Sequence, residues 1–193
     1  MRDTIRALIS AYEPRLNASP GLIPAAVLLL LYERDGQEHL LFQVRSMEVE
    51  HHKGEISLPG GARDPRDDSL LTTALRETHE EIGVPPEHIE VFGRIDDFTT
   101  RTNFVMAPYV GAITAPGVYP FRTSVIEVAK LLEVPVSYLL SPVSRQETID
   151  ASGRRAWSYR FEGHLIFGAT ARVLDSFLGL LTQGVDAPAT ARP

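Results

Sequence analysis

The sequence predicts an α/β fold, with helices on both faces of a mixed β-sheet, arranged as an α/β/α sandwich. Strand-like segments stand on both sides of a central amphipathic helix, and a second long amphipathic segment closes the chain. A chain of 193 residues can form one domain with a sizeable core. We therefore expect a single domain over residues 1–185, followed by a disordered tail over 186–193.

The boundaries of the predicted elements follow from the spacing of apolar residues and from turn signals. Apolar residues three to four positions apart indicate helices, whereas continuous or alternating apolar runs indicate strands. Pro14 ends the first predicted helix, and Gly83 ends the central one. In chain order the predicted elements are a helix over 3–13, strands over 25–32, 40–45 and 55–58, a helix over 68–82, strands over 89–95, 104–113 and 125–135, a short helix over 136–140, a hairpin over 146–149 and 156–161, and a helix over 166–181.

The early elements indicate how the domain begins. The helix over 3–13 has one apolar face, which we expect to pack on the domain or, in a homodimer, on a second copy of the chain. The run over 25–32 is continuously apolar but too short to span a bilayer, so it is predicted as a strand buried on both faces. The segment 40–45 is its expected hairpin partner across the turn Arg34-Asp35-Gly36.

The central helix carries a narrow apolar stripe that predicts its buried face. Four residues recur at i, i+4, i+7 and i+11, a spacing that aligns them along one side of a helix. Asp67 or Asp68 is the predicted N-cap, and Gly83 is the predicted C-terminal stop. The stripe consists of Leu71, Leu75, Thr78 and Ile82.

Three carboxylates crowd the last turns of this helix. Glu77 and Glu81 are i, i+4 neighbours, and like charges at this spacing cost about 0.2–0.5 kcal/mol per pair. The negative end of the helix dipole disfavours them further. We expect Glu77 and Glu81 at the edge of the buried face, with Glu80 on the far side and paired to Arg76. So unfavourable an arrangement indicates a compensating cation, and ligation by oxygen alone favours Mg²⁺ or Mn²⁺.

A Gly-Gly pair upstream offers further ligands to such an ion. Gly60 and Gly61 let the backbone approach a ligand closely, so a carbonyl oxygen of either residue is a candidate metal ligand. The carboxylates of Asp67 and Asp68 are candidates as well.

The same residues resemble a known motif, the Nudix box, G-x5-E-x7-R-E-U-x-E-E-x-G-U, where U is a bulky apolar residue. The run Arg76-Glu77-Thr78-His79-Glu80-Glu81-Ile82-Gly83-Val84 matches its second half, with Thr78 at an apolar position. The loop before it is one residue longer, because counting from Gly61 reaches Asp67 and counting back from Arg76 reaches Asp68. The resemblance implies the Nudix fold and metal-dependent diphosphate hydrolysis, with the three glutamates as metal ligands and Arg76 fixing their carboxylates.

The segment before the box resembles the coenzyme A pyrophosphatase branch of that family. This branch carries L-L-T-x-R-[SA]-x3-R-x3-G-x3-F-P-G-G, and here Arg45-Ser46, Gly54 and Pro59-Gly60-Gly61 hold the same spacing. The resemblance implies coenzyme A as substrate, with Arg45 and Gly54 in the recognition segment. Three positions depart from the pattern, namely Gln43 for Thr, Glu50 for Arg and Leu58 for Phe.

Three further residues are candidates outside the box. Glu127 corresponds to a position where related Nudix enzymes carry an additional metal ligand or the base; a plain surface carboxylate is the alternative. Lys53 is a candidate contact to a substrate phosphate, and Arg101 lies in a polar loop that could contact the substrate. For both residues the alternative is an ordinary surface loop.

Composition restricts the partners of the protein. With no cysteine, a disulfide framework and thiolate chemistry are excluded, and we expect a cytoplasmic protein. The net charge of −6 argues against nucleic-acid and membrane surfaces. The leading hypothesis is a hydrolase of a small nucleotide diphosphate such as coenzyme A. The alternatives are a Nudix hydrolase of ADP-ribose, a dinucleotide or a nucleoside triphosphate, and a non-catalytic nucleotide-binding regulatory module.

Overall fold

The structure is a computed structural model that describes residues 1–49, 52–115, 117–149, 153 and 155–186. Residues 184–186 are described by their backbone alone. Glu50, one of the three departures from the recognition pattern, lies outside the described residues. So does the predicted tail beyond Asp186.

The described part of the chain contains four α-helices and eleven strands. The helices are α1 (Arg2–Ser10), α2 (Leu70–Ile82), α3 (Val136–Leu139) and α4 (Gly168–Asp186). The strands are β1 (Ile23–Arg34), β2 (Gln37–Arg45), β3 (Ile56–Ser57), β4 (Gly60–Ala62), β5 (Ile89–Arg94), β6 (Phe98–Thr99), β7 (Phe104–Ile113), β8 (Val128–Pro135), β9 (Arg145–Ile149), β10 (Arg155–Phe161) and β11 (His164–Ile166).

Strand β1 lies at the centre of the main sheet, whose order is β3-β2-β1-β7-β5. It pairs antiparallel with β2 at its C-terminal half and with β4 at its N-terminal half, and it pairs parallel with β7. Strand β8 extends the sheet beside β2, and β6 pairs with β7. The predicted mixed sheet is therefore confirmed. A second, antiparallel sheet has the order β11-β10-β9.

The side chains of β1 alternate between two apolar cores, one on each face of the main sheet. Helices cover both of these faces. One core is covered by α1 and α4, and the other is covered by α2. The first contains Val27, Leu29 and Leu31, and the second contains Ala26, Leu28 and Leu30. The predicted strand buried on both faces and the α/β sandwich are thus both observed.

Helix α1 is shorter than predicted and packs within its own chain. It ends at Ser10 rather than at residue 13, and it buries Ile5 and Ile9 against β5 and α4. An ion pair of 2.8 Å between Arg2 and Glu38 anchors its start. Its apolar face is therefore already covered, and a homodimer stays a prediction.

The start of β8 differs from the prediction because local hydrogen bonds compete with strand pairing. Strand β8 begins at Val128 rather than at residue 125, since the amides of Glu127 and Val128 both donate to the Ser124 carbonyl and close a turn.

Strand β4 was not predicted at all. A Cβ atom on Gly60 would lie 2.2 Å from the Ala26 carbonyl oxygen, so glycine allows β4 to pair closely with β1.

Helix α4 closes the chain. It was predicted over 166–181 and extends from Gly168 to Asp186, with Leu174, Phe177 and Leu178 buried. Within the described ranges, no helix is both long enough and apolar enough to cross a membrane.

Candidate active site

The ends of α2 set the position of the candidate site. Its N-cap is Ser69, whose hydroxyl accepts the Thr72 amide at 3.1 Å, so the predicted caps Asp67 and Asp68 are wrong. At the other end Gly83 adopts the left-handed conformation with φ of 72°, and its amide donates to the His79 carbonyl. The predicted C-terminal stop at Gly83 is therefore confirmed.

The buried face of α2 is rotated from the predicted stripe. Leu71 is only half-buried, whereas Glu81, expected at the edge, points inward. Small residues allow α2 to pack closely on β1 and β4, and the Thr78 hydroxyl is satisfied by the Ala74 carbonyl at 2.7 Å. The buried residues of α2 are Thr73, Ala74, Thr78, Glu81 and Ile82.

Glu81 is a buried carboxylate at the C-terminal end of α2. Its side chain accepts the Gly60 amide at 2.9 Å, and it forms no ion pair within the described residues. The pKa of Glu81 is raised to about 7, chiefly by burial and also by the charges of Glu77 and Glu127, against the lowering effects of the Gly60 and Gln43 amides. The position therefore has a deficit of positive charge.

Glu77 lies beside Glu81 and directly over the backbone of β4. A Cβ atom on Gly61 would stand 2.6 Å from the Glu77 carboxyl carbon, so this approach requires glycine. Burial raises the pKa of Glu77, while an ion pair of 2.8 Å with Arg76 opposes that shift. The Gly60-Gly61 strand and the acidic helix end are thus in direct contact, as the metal-site hypothesis requires.

Arg76 pairs with Asp67 and Glu80 as well as with Glu77. Its guanidinium donates to Asp67 at 3.0 and 3.1 Å and to Glu80 at 2.9 Å. Glu80 is exposed on the far side of the helix and pairs with Arg76, as predicted.

The Asp67 carboxylate is engaged by hydrogen bonds from its neighbours. Its carboxylate is buried and also accepts the Thr73 hydroxyl and the Asp64 amide, at 2.8 and 3.0 Å. Hydrogen bonding to Arg76 lowers the pKa of Asp67 to about 2. Asp67 is therefore the partner of Arg76, and its role as a metal ligand stays a prediction. The other candidate, Asp68, is exposed.

Glu127 lies in the turn before β8, which is attached to the end of α2. The amide of Ser124 donates to the Glu81 carbonyl at 2.9 Å, and the Glu127 carbonyl accepts the Ser46 amide at 2.8 Å. Glu127 is exposed, yet its negative charge contributes to raising the pKa of both Glu77 and Glu81. The structure thus brings the distant candidate Glu127 to the acidic end of α2.

The predicted recognition segment folds back on itself beside this turn. Gly54 adopts a φ of 69°, and its amide donates to the Arg45 carbonyl at 3.1 Å, while the Arg45 amide donates to the Glu55 carbonyl. Arg45 and Gly54 are therefore held close to Ser46 and Glu127. Lys53 lies exposed in the same loop, whereas Arg101 lies exposed in the turn between β6 and β7. Neither contacts the carboxylates in the described structure.

These side chains suit a hard divalent cation, because every donor atom is an oxygen and the carboxylates carry more negative charge than the neighbouring side chains neutralise. Within the described ranges, however, no three His, Asp or Glu side chains are close enough to form a metal site by themselves. Glu77 and Glu81 would therefore need backbone oxygens or water to complete the coordination.

Sequence reasoning missed two polar residues at this position. Gln43, noted only as a departure from a pattern, is fully buried, and the Ser57 hydroxyl is buried as well. The alternation of β2 could have identified Gln43, because it shares a face with Leu41 and so must point into a core.

The fold and the site define an α/β domain with an anionic, all-oxygen site at a helix end. A model of the NUDIX domain matches residues 22–151, and the chain belongs to the Nudix family.

Relatives of similar length support this assignment. The chain is 36% identical over 154 residues to an uncharacterized Nudix hydrolase, NudL, of Photorhabdus laumondii, covering 78% of this chain and 80% of the relative. It is 33% identical over 176 residues to NudL of Shigella flexneri, covering 89% of this chain and 90% of the relative.

Solved structures share the fold at lower identity. The Nudix hydrolase RenU of M. smegmatis superposes with a TM-score of 0.56 at 19% identity, covering 90% of this chain and 100% of that chain. The MutT protein of Methanosarcina mazei superposes with a TM-score of 0.53 at 20% identity, covering 90% and 98%.

Proposed function

We propose that this Nudix hydrolase cleaves the diphosphate linkage of coenzyme A, giving phosphopantetheine and adenosine 3′,5′-bisphosphate. The observation that carries the proposal is that the segment resembling coenzyme A pyrophosphatases folds against the acidic end of α2. The Ser46 amide bonds to the Glu127 carbonyl, and the Gly60 amide bonds to the Glu81 carboxylate. These contacts support the proposal, because they join the recognition segment to the turn that carries Glu127 and the Gly-Gly strand to Glu81.

The reaction would require a divalent cation, Mg²⁺ or Mn²⁺. Glu77 and Glu81 would hold it, with a carbonyl oxygen of Gly60 or Gly61 and with Glu80 or Glu127 as further ligands. A bound cation offsets the charge of the diphosphate and makes water a stronger nucleophile. The deficit of positive charge around Glu81 supports this assignment, because a cation would compensate the buried Glu81 carboxylate and the half-buried Glu77 carboxylate beside it.

The residues of the chain orient these groups and move one proton. Arg76 fixes Glu77 and Glu80, and the Gly60 amide fixes Glu81. Glu127 is the candidate base, since its exposed carboxylate can accept a proton from the attacking water. The hydroxyl adds to one phosphorus atom, the bridging P–O bond breaks, and the departing phosphate takes up a proton.

Exposed apolar side chains beside Glu127 favour coenzyme A over the more polar alternatives. Val125 and Ile126 are 84% and 66% exposed in the turn that carries Glu127, and Met47 is 66% exposed next to Ser46. Single exposed apolar residues are ordinary, but three around one polar site suit a substrate with an uncharged arm. The pantetheine arm of coenzyme A is such a group.

Product identification by mass spectrometry tests the proposal. The protein is incubated with coenzyme A, ADP-ribose, NADH and nucleoside triphosphates, with and without Mg²⁺ or Mn²⁺, and a Glu81→Gln variant is the control. We expect metal-dependent release of phosphopantetheine by the wild type alone.

Other outcomes assign other functions. Cleavage of ADP-ribose, a dinucleotide or a nucleoside triphosphate without cleavage of coenzyme A would retain the hydrolase and reject the branch. Binding of these nucleotides without any cleavage would favour the regulatory module. The cytoplasmic location stays a prediction in every case.

A further inference from the structure

Gln43 is a buried polar residue on the sheet face that α2 covers. Its side chain is fully buried, and among the described residues neither its amide oxygen nor its amide nitrogen has a partner in hydrogen-bond geometry. An unpaired buried amide destabilises a fold, and native structures contain few of them. Packing alone therefore does not account for a glutamine at this position.

The strand register places a second polar residue beside Gln43. Ser57 is directly opposite it in the antiparallel pair of β2 and β3, so the two side chains share one face. The Ser57 hydroxyl is also buried, and it has no hydrogen-bond partner in the part of the chain that the structure describes. The neighbours on this face are apolar, with Leu41 on the same strand and Leu131 opposite Gln43 on β8. Two unpaired polar groups thus interrupt an apolar surface at one point.

This point lies next to Glu81. Ser57, opposite Gln43, is three residues before Gly60, whose amide donates to the Glu81 carboxylate at 2.9 Å, so the register brings Gln43 to the side of the sheet on which Glu81 lies. The Gln43 amide also favours the charged form of that carboxylate. One carboxylate oxygen, Oε2, accepts the Gly60 amide, and Oε1 accepts no hydrogen bond within the described residues. The Gln43 amide is therefore the candidate donor to Oε1.

We propose that Gln43, supported by Ser57, is a positioning residue that orients the Glu81 carboxylate for binding a divalent cation. The Gln43 amide N–H donates to Glu81 Oε1 when the cation binds, so both carboxylate oxygens are then held. Outer hydrogen bonds of this kind typically change metal affinity about 10- to 100-fold. The inference rests on the proposed function, because the cation is the one proposed for hydrolysis.

The test compares two methionine substitutions on the same face of β2. Gln43→Met keeps the side-chain length but removes the amide, and Leu41→Met introduces the same residue two positions away. Mn²⁺ alone, followed by electron paramagnetic resonance of the free ion, gives the affinity without substrate. We expect Gln43→Met to bind Mn²⁺ about 10- to 100-fold more weakly and Leu41→Met to bind it like the wild type.

Two further readouts separate positioning from a structural role. Without metal, Gln43→Met should have an unfolding midpoint equal to that of the wild type or up to about 4 °C higher, because an unpaired amide is removed. At saturating Mn²⁺ its kcat should return to within about threefold of the wild type. Ser57→Ala, a smaller change, should weaken Mn²⁺ binding about fivefold and serves as the test if Gln43→Met does not fold.

The outcomes distinguish this inference from the proposed function. Unchanged Mn²⁺ affinity in Gln43→Met, or equal weakening in Leu41→Met, overturns the inference while the proposed function stands. A kcat loss that persists at saturating Mn²⁺ overturns it as well. A wild-type protein that binds no Mn²⁺ overturns both.

Discussion

Two buried carboxylates near opposite ends of α2 have opposite electrostatic settings. Asp67 is 4% exposed, pairs with Arg76, and has its pKa lowered to about 2. Glu81 is 2% exposed, has no ion pair in the described structure, and has its pKa raised to about 7 by burial. Exposure does not distinguish them. The fold supplies a cation for Asp67, whereas the hydrogen bond that Glu81 accepts comes from the neutral Gly60 amide.

This difference separates a residue that stabilises the domain from one that serves the reaction. A paired buried carboxylate favours folding, because removing it leaves its partner charge uncompensated. An unpaired buried carboxylate opposes folding and is retained where function requires it. We therefore expect substitutions at Asp67 and Glu81 to change different properties of the protein.

The largest expected effect is on turnover at Glu81. Glu81→Gln keeps the shape of the side chain but removes the charge that would hold the cation. We expect kcat for coenzyme A to fall about 1,000-fold, equivalent to about 4 kcal/mol, without a lower unfolding midpoint. Steady-state kinetics measures this, and the exposed Glu87→Gln is the control. Turnover within tenfold of the wild type would remove Glu81 from the active site.

The next effect is on stability at Asp67. Asp67→Ala leaves the Arg76 guanidinium without its principal partner and should lower the free energy of unfolding by about 2–3 kcal/mol. Urea denaturation measures the change. The adjacent, exposed Asp68→Ala should stay within about 0.5 kcal/mol of the wild type. Equal destabilisation by both substitutions would contradict the assignment of Asp67 as the partner of Arg76.

A smaller effect is the pH dependence of stability in the presence of a chelator. The pKa of Glu81 is about 7 in the folded protein and close to 4.5 in the unfolded chain, so between these values the folded state binds more protons. The free energy of unfolding should therefore fall as pH rises from about 4.5 to 7, by about 1–3 kcal/mol more in the wild type than in Glu81→Gln.

Denaturant titrations of both proteins across this range provide the measurement. Asp67 changes the stability in the opposite direction and at lower pH. Because its pKa is lowered in the folded protein, its charged form contributes stability above about pH 4, and this contribution is lost as pH falls towards 2. Parallel stability curves for the wild type and Glu81→Gln would show that Glu81 is not buried as an unpaired carboxylate.

The smallest effect concerns the apolar residues beside Glu127. Ile126→Ser should raise KM for coenzyme A about threefold to fivefold at unchanged kcat, because it removes a contact made equally in the ground and transition states. KM for ADP-ribose, which has no pantetheine arm, should not change. Ile149→Ser is a matched control, since Ile149 is also 66% exposed but lies on β9. An equal rise in both variants would reject the proposed contact.

Elements with a strong local pattern were predicted closely. Strand β7 has the predicted limits, and α2 ends at Gly83 as expected, because apolar runs and a left-handed glycine are local signals. The limits of α1 and β8 were less accurate, since their ends depend on turns whose hydrogen bonds have no strong sequence pattern.

The details of the site depended on contacts that spacing does not encode. Counting residues left Asp67 and Asp68 equally eligible, and the turn in which the Asp64 carbonyl accepts the Asp67 amide decides which one reaches Arg76. The burial of Glu81 follows from the close packing of α2 on β4. Apolar periodicity does not assign a glutamate to a core, so Glu81 was predicted at the edge of the buried face.

The most direct test of whether Glu81 holds a divalent cation is the shift of the thermal unfolding midpoint on adding Mn²⁺ to the metal-free protein. At a Mn²⁺ concentration about 100 times the dissociation constant, a cation held at Glu81 should raise the midpoint of the wild type by about 5–10 °C. Asp67→Ala should show the same rise from a lower starting midpoint, and Glu81→Gln should show almost none. An equal rise in the wild type and Glu81→Gln, or no rise in the wild type, would contradict the account.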